Sequence, residues 1–172
     1  TIIWHAVQPL PSHEIELNPF TKIGKEWGLR SADSKVKFNT MTISWGGMGV
    51  LWNKNAAYVF VRDSRFTKEL IDEGDFFSIS FLGEEYRQAL QFCGVNSGRN
   101  SVNKFAEAGL TVAFRHSIPY ADEANFVVIC KKMAAVPITK EMLLTSDLEG
   151  KFYKEGDYHT MYVGEIIDIM AR

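Results

Sequence analysis

The longest unbroken apolar runs in this chain, Ala56 to Val61 and Phe126 to Cys130, are no longer than a β-strand. A helix that crosses a bilayer needs roughly 18 to 20 apolar residues in a row, so these runs are expected to be buried strands in a soluble chain with no membrane partner. Ala56 to Val61 is rich in strand formers and has no polar alternation, which reads as a strand buried on both faces and ending at Arg62. From Val36 to Trp45 the pattern has period two. Asn39, Met41, Ile43 and Trp45 fall on one face, and Thr40, Thr42 and Ser44 on the other.

The period then changes. Phe66, Leu70 and Ile71 suit one face of a helix over residues 65 to 73, with Ser64 as its N-cap and Gly74 as its stop. Phe76 to Leu82 returns to strand alternation, and Tyr86, Leu90 and Cys93 mark a second helix ending near Gly94. A turn at Asn96 to Asn100 leads to a short helical piece around Val102 to Ala108. Leu110 to Phe114, Phe126 to Val136 and His159 to Met170 favour strands, with a possible helix from Thr139 to Leu144. Strands outnumber helices without the regular alternation of a doubly wound sheet, so the expected class is a mostly antiparallel barrel with a few inserted helices.

With 172 residues, 46% of them apolar and 13% aromatic, the chain can bury one sizeable core. The prolines are scattered, and no repeat or linker interrupts the chain, so residues 1–172 read as a single domain. Nineteen Lys and Arg against 21 Asp and Glu give a net charge of -2, with no basic stripe of the kind that nucleic-acid binding by counterion release requires. The N-terminal Thr-Ile-Ile-Trp-His shows no basic region followed by an apolar stretch. Cys93 and Cys130 are too few for a disulfide framework or a cysteine-based zinc site, so a reducing cytoplasm is the expected setting.

Several chemistries lack an anchor. His5, His13, His116 and His159 never fall at the i, i+4 spacing of a helical metal site, and no metal is expected. Ser97 in Gly94-Val95-Asn96-Ser97-Gly98 has one residue too many before it for a nucleophile elbow. Gly46-Gly47-Met48-Gly49 resembles the start of a dinucleotide fingerprint, but Trp52 takes the third glycine position and no helix pattern follows. No protein residue is expected to act as a catalytic nucleophile or acid.

The remaining signals point to an anion and a flat polar ring. In Val61-Arg62-Asp63-Ser64-Arg65-Phe66-Thr67 a buried strand ends where a helix begins, and free N–H groups there favour a phosphate. Arg62 and Arg65 add charge, and Ser64 and Thr67 add hydroxyl donors. The competing reading is a plain helix cap with arginines paired to Asp63, Glu69 or solvent. A second polar group, Cys93 to Arg99 with Lys104, borders another helix terminus, or is simply a surface connection. Thr40, Thr42 and Ser44 either line a polar cavity or face water. Met41, Trp45 or Trp52 offer apolar or stacking contact.

Four segments, in this order and spacing, resemble a known family: Asn39-Thr40-Met41-Thr42-Ile43-Ser44-Trp45-Gly46; Val61 to Thr67; Cys93-Gly94 with Ser97-Gly98-Arg99 and Lys104-Phe105; and Tyr158-His159-Thr160-Met161-Tyr162-Val163-Gly164-Glu165-Ile166. From about Trp4 to Met170 the chain is similar to the flavin reductase-like, or flavoredoxin-like, proteins of the FMN-binding split barrel. The resemblance implies an antiparallel, Greek-key type split β-barrel, dimeric with an identical copy, holding FMN noncovalently near the interface. It implies that Asn39, Thr40, Met41 and Thr42 run along the isoalloxazine and ribityl chain. Arg62, Ser64, Arg65 and Thr67 would hold the phosphate end, Cys93, Gly94, Ser97, Gly98 and Lys104 would close the site, and His159 would approach the flavin. The implied activity is an oxidoreductase that takes electrons from NAD(P)H to bound FMN and passes them to a flavin, a metal complex or a protein. The alternative is a flavoredoxin-like electron carrier without efficient NAD(P)H turnover. Leu51 to Ala57 departs from the commoner pair of prolines in relatives, and Trp52 there either covers the flavin face or packs into the barrel end. Cys93, without a Cys-x-x-Cys partner, reads as a packed side chain rather than a redox thiol.

Overall fold

The computed structural model describes residues 6–33, 38–100 and 103–172, so Trp4, Val36, Lys37 and Val102 of the expected elements lie outside the described residues. The strands are β1 (Gln8–Pro9), β2 (Gly28–Asp33), β3 (Phe38–Ile43), β4 (Gly46–Leu51), β5 (Lys54–Arg62), β6 (Phe76–Phe81), β7 (Val112–Arg115), β8 (Ile118–Ala121), β9 (Phe126–Pro137) and β10 (His159–Ala171). The helices are α1 (Pro19–Thr21), α2 (Phe66–Glu73), α3 (Arg87–Val95), α4 (Lys104–Glu107) and α5 (Leu148–Phe152). The segment expected as a helix near Thr139 is a single 3-10 turn, Lys140–Met142.

All pairings are antiparallel, in the order β3-β2-β6-β9-β10-β5-β4, with β1 also on β10 and β7-β8 as a separate hairpin. This is the expected mostly β fold with a few helices: a curled sheet whose ends, β3 and β4, are not paired to each other. The long β10 joins the two halves by pairing with β5 on one side and β9 on the other. A register shift in its ladder with β9 falls between Val163 and Gly164. A Cβ at Gly164 would sit 2.6 Å from Phe77 Cζ and 2.7 Å from Cys130 Cβ, so only glycine lets these layers approach.

The sheet separates two apolar clusters. Inside the barrel, Ile43, Ala57, Val59, Val61, Leu70, Ile71, Phe77, Ile79, Val128 and Tyr162 pack together. On the outer face, Leu29, Leu90, Cys93, Phe105, Ile118 and Ile129 pack beneath α3, α4 and the β7-β8 hairpin. Alternation along β2 assigns Leu29 to the outer cluster and Ala32 to the inner one.

Three local expectations are corrected. The run Ala56 to Val61 is not buried along both faces: Ala57, Val59 and Val61 face the interior, whereas on the other face only Ala56 is buried, Tyr58 and Phe60 are half-buried, and Phe60 borders a cavity. Ser64 is not the N-cap of α2; Arg65 holds that position without a side-chain cap, and Ser64 turns away to Asp157. Trp52 neither packs into the barrel end nor lines the cavity described below, because with Asn53 it forms the tight β4-β5 turn at positive φ and stands exposed.

Candidate functional site

The site lies where the curled sheet fails to close. Met41, Thr42, Ile43, Ser44 and Trp45 border a cavity of about 240 Å³, together with Phe60, Arg62, Arg65 and His159. Side chains of a strand alternate between faces, so consecutive residues can border one cavity only where the strand presents its edge. β3 is the terminal strand and pairs only with β2, so its other row of N–H and C=O groups faces the gap. A second cavity of about 600 Å³ continues past the shared Ser44, Trp45 and Phe60 toward Phe20, Met48 and Tyr153.

The register places the polar groups. His159 is the Cα partner of Arg62, so the first residue of β10 and the last of β5 reach the gap side by side. The Arg62 guanidinium donates to the carbonyls of Asp157 at 2.7 Å and Phe152 at 3.2 Å. Arg65 donates to the carbonyls of Gly94 at 2.9 Å and Cys93 at 3.4 Å, tying the start of α2 to the end of α3. Burial lowers the pKa of Arg65, partly offset by the Asp157 carboxylate.

Lys104 is buried, and its ammonium has no hydrogen-bond partner among the described residues. Burial pushes its pKa down to about 8, against the pull of Cys93 and with Arg65 adding repulsion. The Cys93 thiol is raised to about 11 by the same burial, only partly offset by Lys104, which keeps it a protonated packing group. No carboxylate lies within ion-pairing distance of Arg62, Arg65 or Lys104 among the described residues. Arg62 and Arg65 therefore bring positive charge to the gap without an ion-paired carboxylate, and the buried Lys104 ammonium needs an acceptor it lacks.

The expected site residues divide into groups. Met41, Thr42, Arg62, Arg65 and His159 share the cavity. Thr42 also donates to the Leu90 carbonyl, holding α3 against the β3 edge. Asn39, Thr40 and Thr67 are buried without lining it: the Asn39 amide donates to Thr67 Oγ1 at 3.1 Å, and Thr40 is bonded to Ser31 and the Arg30 carbonyl. The three hydroxyls of the β3 face thus do not act together, since only Thr42 and Ser44 reach the cavity. Ser64 is exposed, and its N–H and hydroxyl both donate to the Asp157 carboxylate, at 3.1 and 2.6 Å. Gly98 backs directly on the Asn39 amide, where a Cβ would come within 2.4 Å, while Ser97 is exposed and accepts from the Arg99 N–H. Gly94 and Cys93 contribute carbonyls to Arg65.

Phe60, Tyr153 and Asp157 were missed as contributors. Phe60 was visible in the apolar run, but only the open sheet end turns it to a cavity. Tyr153 and Asp157 lie in the connection before β10, where no periodicity marks them.

A split antiparallel sheet with a cationic gap at its unpaired edge defines the architectural class. Residues 27–172 match the family model described as the flavin reductase like domain, and the chain belongs to that family. Among solved structures, it resembles the FMN-binding domain of a flavin reductases-like enzyme from Shewanella baltica OS155, with 15% identity, a TM-score of 0.70, and 96% of this chain and 76% of that one covered. It also resembles the flavoredoxin of Methanosarcina acetivorans, with 21% identity, a TM-score of 0.66, and 92% and 75% covered. The NADH:FAD oxidoreductase SgcE6 of Streptomyces globisporus C-1027 is a third, with 13% identity, a TM-score of 0.64, and 86% and 75% covered. Comparison with curated protein sequences returns no match. Among the described residues, no helix is long and apolar enough to cross a membrane.

Proposed function

We propose that this chain is an FMN-binding oxidoreductase that accepts electrons from NAD(P)H and delivers them to a flavin, a metal complex or a protein. The observation that carries this reading is the free edge of β3 bordering the cavity together with Arg62 and Arg65, neither of them ion-paired to a carboxylate, with the unpartnered Lys104 ammonium buried nearby beside Cys93 and Arg65. A flat ring with alternating acceptors and donors is matched by a strand edge, and a phosphate is matched by cations that need an anion. Those residues fit FMN. Met41 to Trp45 would run along the ring and ribityl chain, with Asn39 and Thr40 supporting that strand from behind.

Arg65 and Lys104 would take the phosphate, with Gly94 at the end of α3, Gly98 packed against the Asn39 amide behind β3, and Arg62 adding charge. Ser64 and Thr67 enter as supports of the α2 loop, because their hydroxyls are already bonded to Asp157 and Asn39. When bound, FMN supplies the hydride and electron chemistry. The chain's own part is to orient the ring, neutralise the phosphate and exclude water from one face. Trp45, with its ring centroid 5.1 Å from that of His159, walls the cavity and limits access.

The test is an absorption spectrum after FMN is added and the excess removed, repeated anaerobically with NADH and then NADPH. Retained bands near roughly 370 and 450 nm that bleach rapidly with either donor are expected. Retained bands that do not bleach would identify a flavoredoxin-like carrier. Failure to retain flavin would overturn the reading.

A further inference from the structure

Tyr153 and His159 are both buried, and the Tyr153 hydroxyl lies 2.8 Å from Nδ1 of His159. Two arrangements of protons could make this bond. If Nδ1–H donated to the phenol, the phenolic proton would need a second acceptor, and the Tyr153 oxygen has no other hydrogen-bond partner among the described residues. A phenolic proton paired within the protein is worth more than one left without a protein acceptor, so the geometry favours the hydroxyl donating and Nδ1 accepting.

Burial holds the His159 pKa down at about 4, with Arg62 adding to the effect and Asp157 and Asp63 opposing it, so the ring is neutral near pH 7. A neutral imidazole that accepts at Nδ1 carries its proton on Nε2. Nε2 makes no hydrogen bond to the described residues and is not one of their sealed-off polar atoms, so it opens on the cavity that His159 lines. The phenol itself is clamped. Its ring stacks on Tyr158 at 4.6 Å and 23°, and the Arg62 guanidinium lies 5.7 Å from its centroid.

We propose that Tyr153 is a positioning residue: by donating to Nδ1 it fixes the His159 tautomer, so the cavity presents an N–H donor that selects a lone-pair acceptor on the ligand. That acceptor is a carbonyl oxygen or an unprotonated ring nitrogen. The tautomer rests on the Tyr153 hydrogen bond and the burial of the ring, whereas the identity of the ligand rests on the flavin reading above.

The experiment is long-range proton–nitrogen NMR on protein labelled with ¹⁵N-histidine, with the His159 signals assigned by their loss in His159→Asn. The wild type is expected to show a bare Nδ1 and a protonated Nε2, and Tyr153→Phe is expected to populate both tautomers. A protonated Nδ1 in the wild type overturns the proposal, and this spectrum decides even where Tyr153→Phe does not fold. In a parallel riboflavin titration, Tyr153→Phe is expected to weaken binding about three- to tenfold, the worth of one hydrogen bond. Unchanged affinity would overturn the claim that the donor faces the ligand. A wild type that binds no flavin would sink the flavin reading, yet the tautomer would still be decided by the spectrum.

Discussion

A guanidinium sealed inside a barrel needs hydrogen bonds, and Arg30 has none among the described residues. It is fully buried, and Nε, Nη1 and Nη2 are all without partners. Its Cα partners across β2 are Met41 and Ile79, both members of the interior cluster. Burial pushes its pKa down to about 9, opposed by Tyr162 and Asp72 and reinforced by Arg65. At neutral pH it therefore remains a buried cation. Asp72 does not pair with it directly, because that carboxylate accepts from Tyr162 and from Lys68. Replacing an unpaired buried charge by an apolar side chain of similar length removes the desolvation penalty, so Arg30→Met is expected to stabilise the fold by about 1 to 4 kcal/mol. Chemical denaturation of the two proteins measures this. A less stable variant would mean that the guanidinium has acceptors inside the barrel.

At the scale of elements, β10 shows how a strand can be legible while its constraint is not. Its wealth of strand formers marks it plainly in the sequence, as the unbroken apolar runs mark β5 and β9 and the period-two alternation marks β3 and β6. β2 was missed because Gly28-Leu29-Arg30-Ser31-Ala32-Asp33 places a cation where an apolar residue would signal the interior. β4 was missed because its three glycines look like a loop, and β8 because Pro119 interrupts it. The site was legible in the same uneven way. Arg62, Arg65 and the β3 strand were found from local pattern, but Asp157 and Tyr153 act only through the close return of the chain onto α2 and β5. Gly164 is a third kind of case, since its need for glycine comes from Phe77 and Cys130 on neighbouring strands. Gly164→Ala would force a methyl group into two buried side chains at the register shift, and overpacking of this kind costs about 1 to 3 kcal/mol. The variant is expected to unfold at lower denaturant with an unchanged slope. Stability equal to wild type would show that the layers can part without cost.

For the whole molecule, the two unpaired sheet ends pose different problems. The β3 edge faces the cavity, but β4 is a terminal strand with three glycines that adjoins exposed apolar side chains. Phe20, 86% exposed, and the open Trp45 border the second cavity, while Val50 at 69% and Trp52 at 60% stand exposed at the turn end of β4. An exposed edge of this composition is a pairing liability unless something covers it. A second copy of the chain is the cover we propose, and it would bring the partner's surface beside the cavity without using β3. Light scattering after size exclusion is expected to give twice the chain mass. Val50→Glu combined with Trp52→Glu places charge on that face far from the core, so it is expected to yield a folded monomer. If the flavin site is completed by the partner, the same variant retains less FMN in proportion to its dissociation. A wild type that runs as a monomer at every concentration would show that no second copy covers this edge.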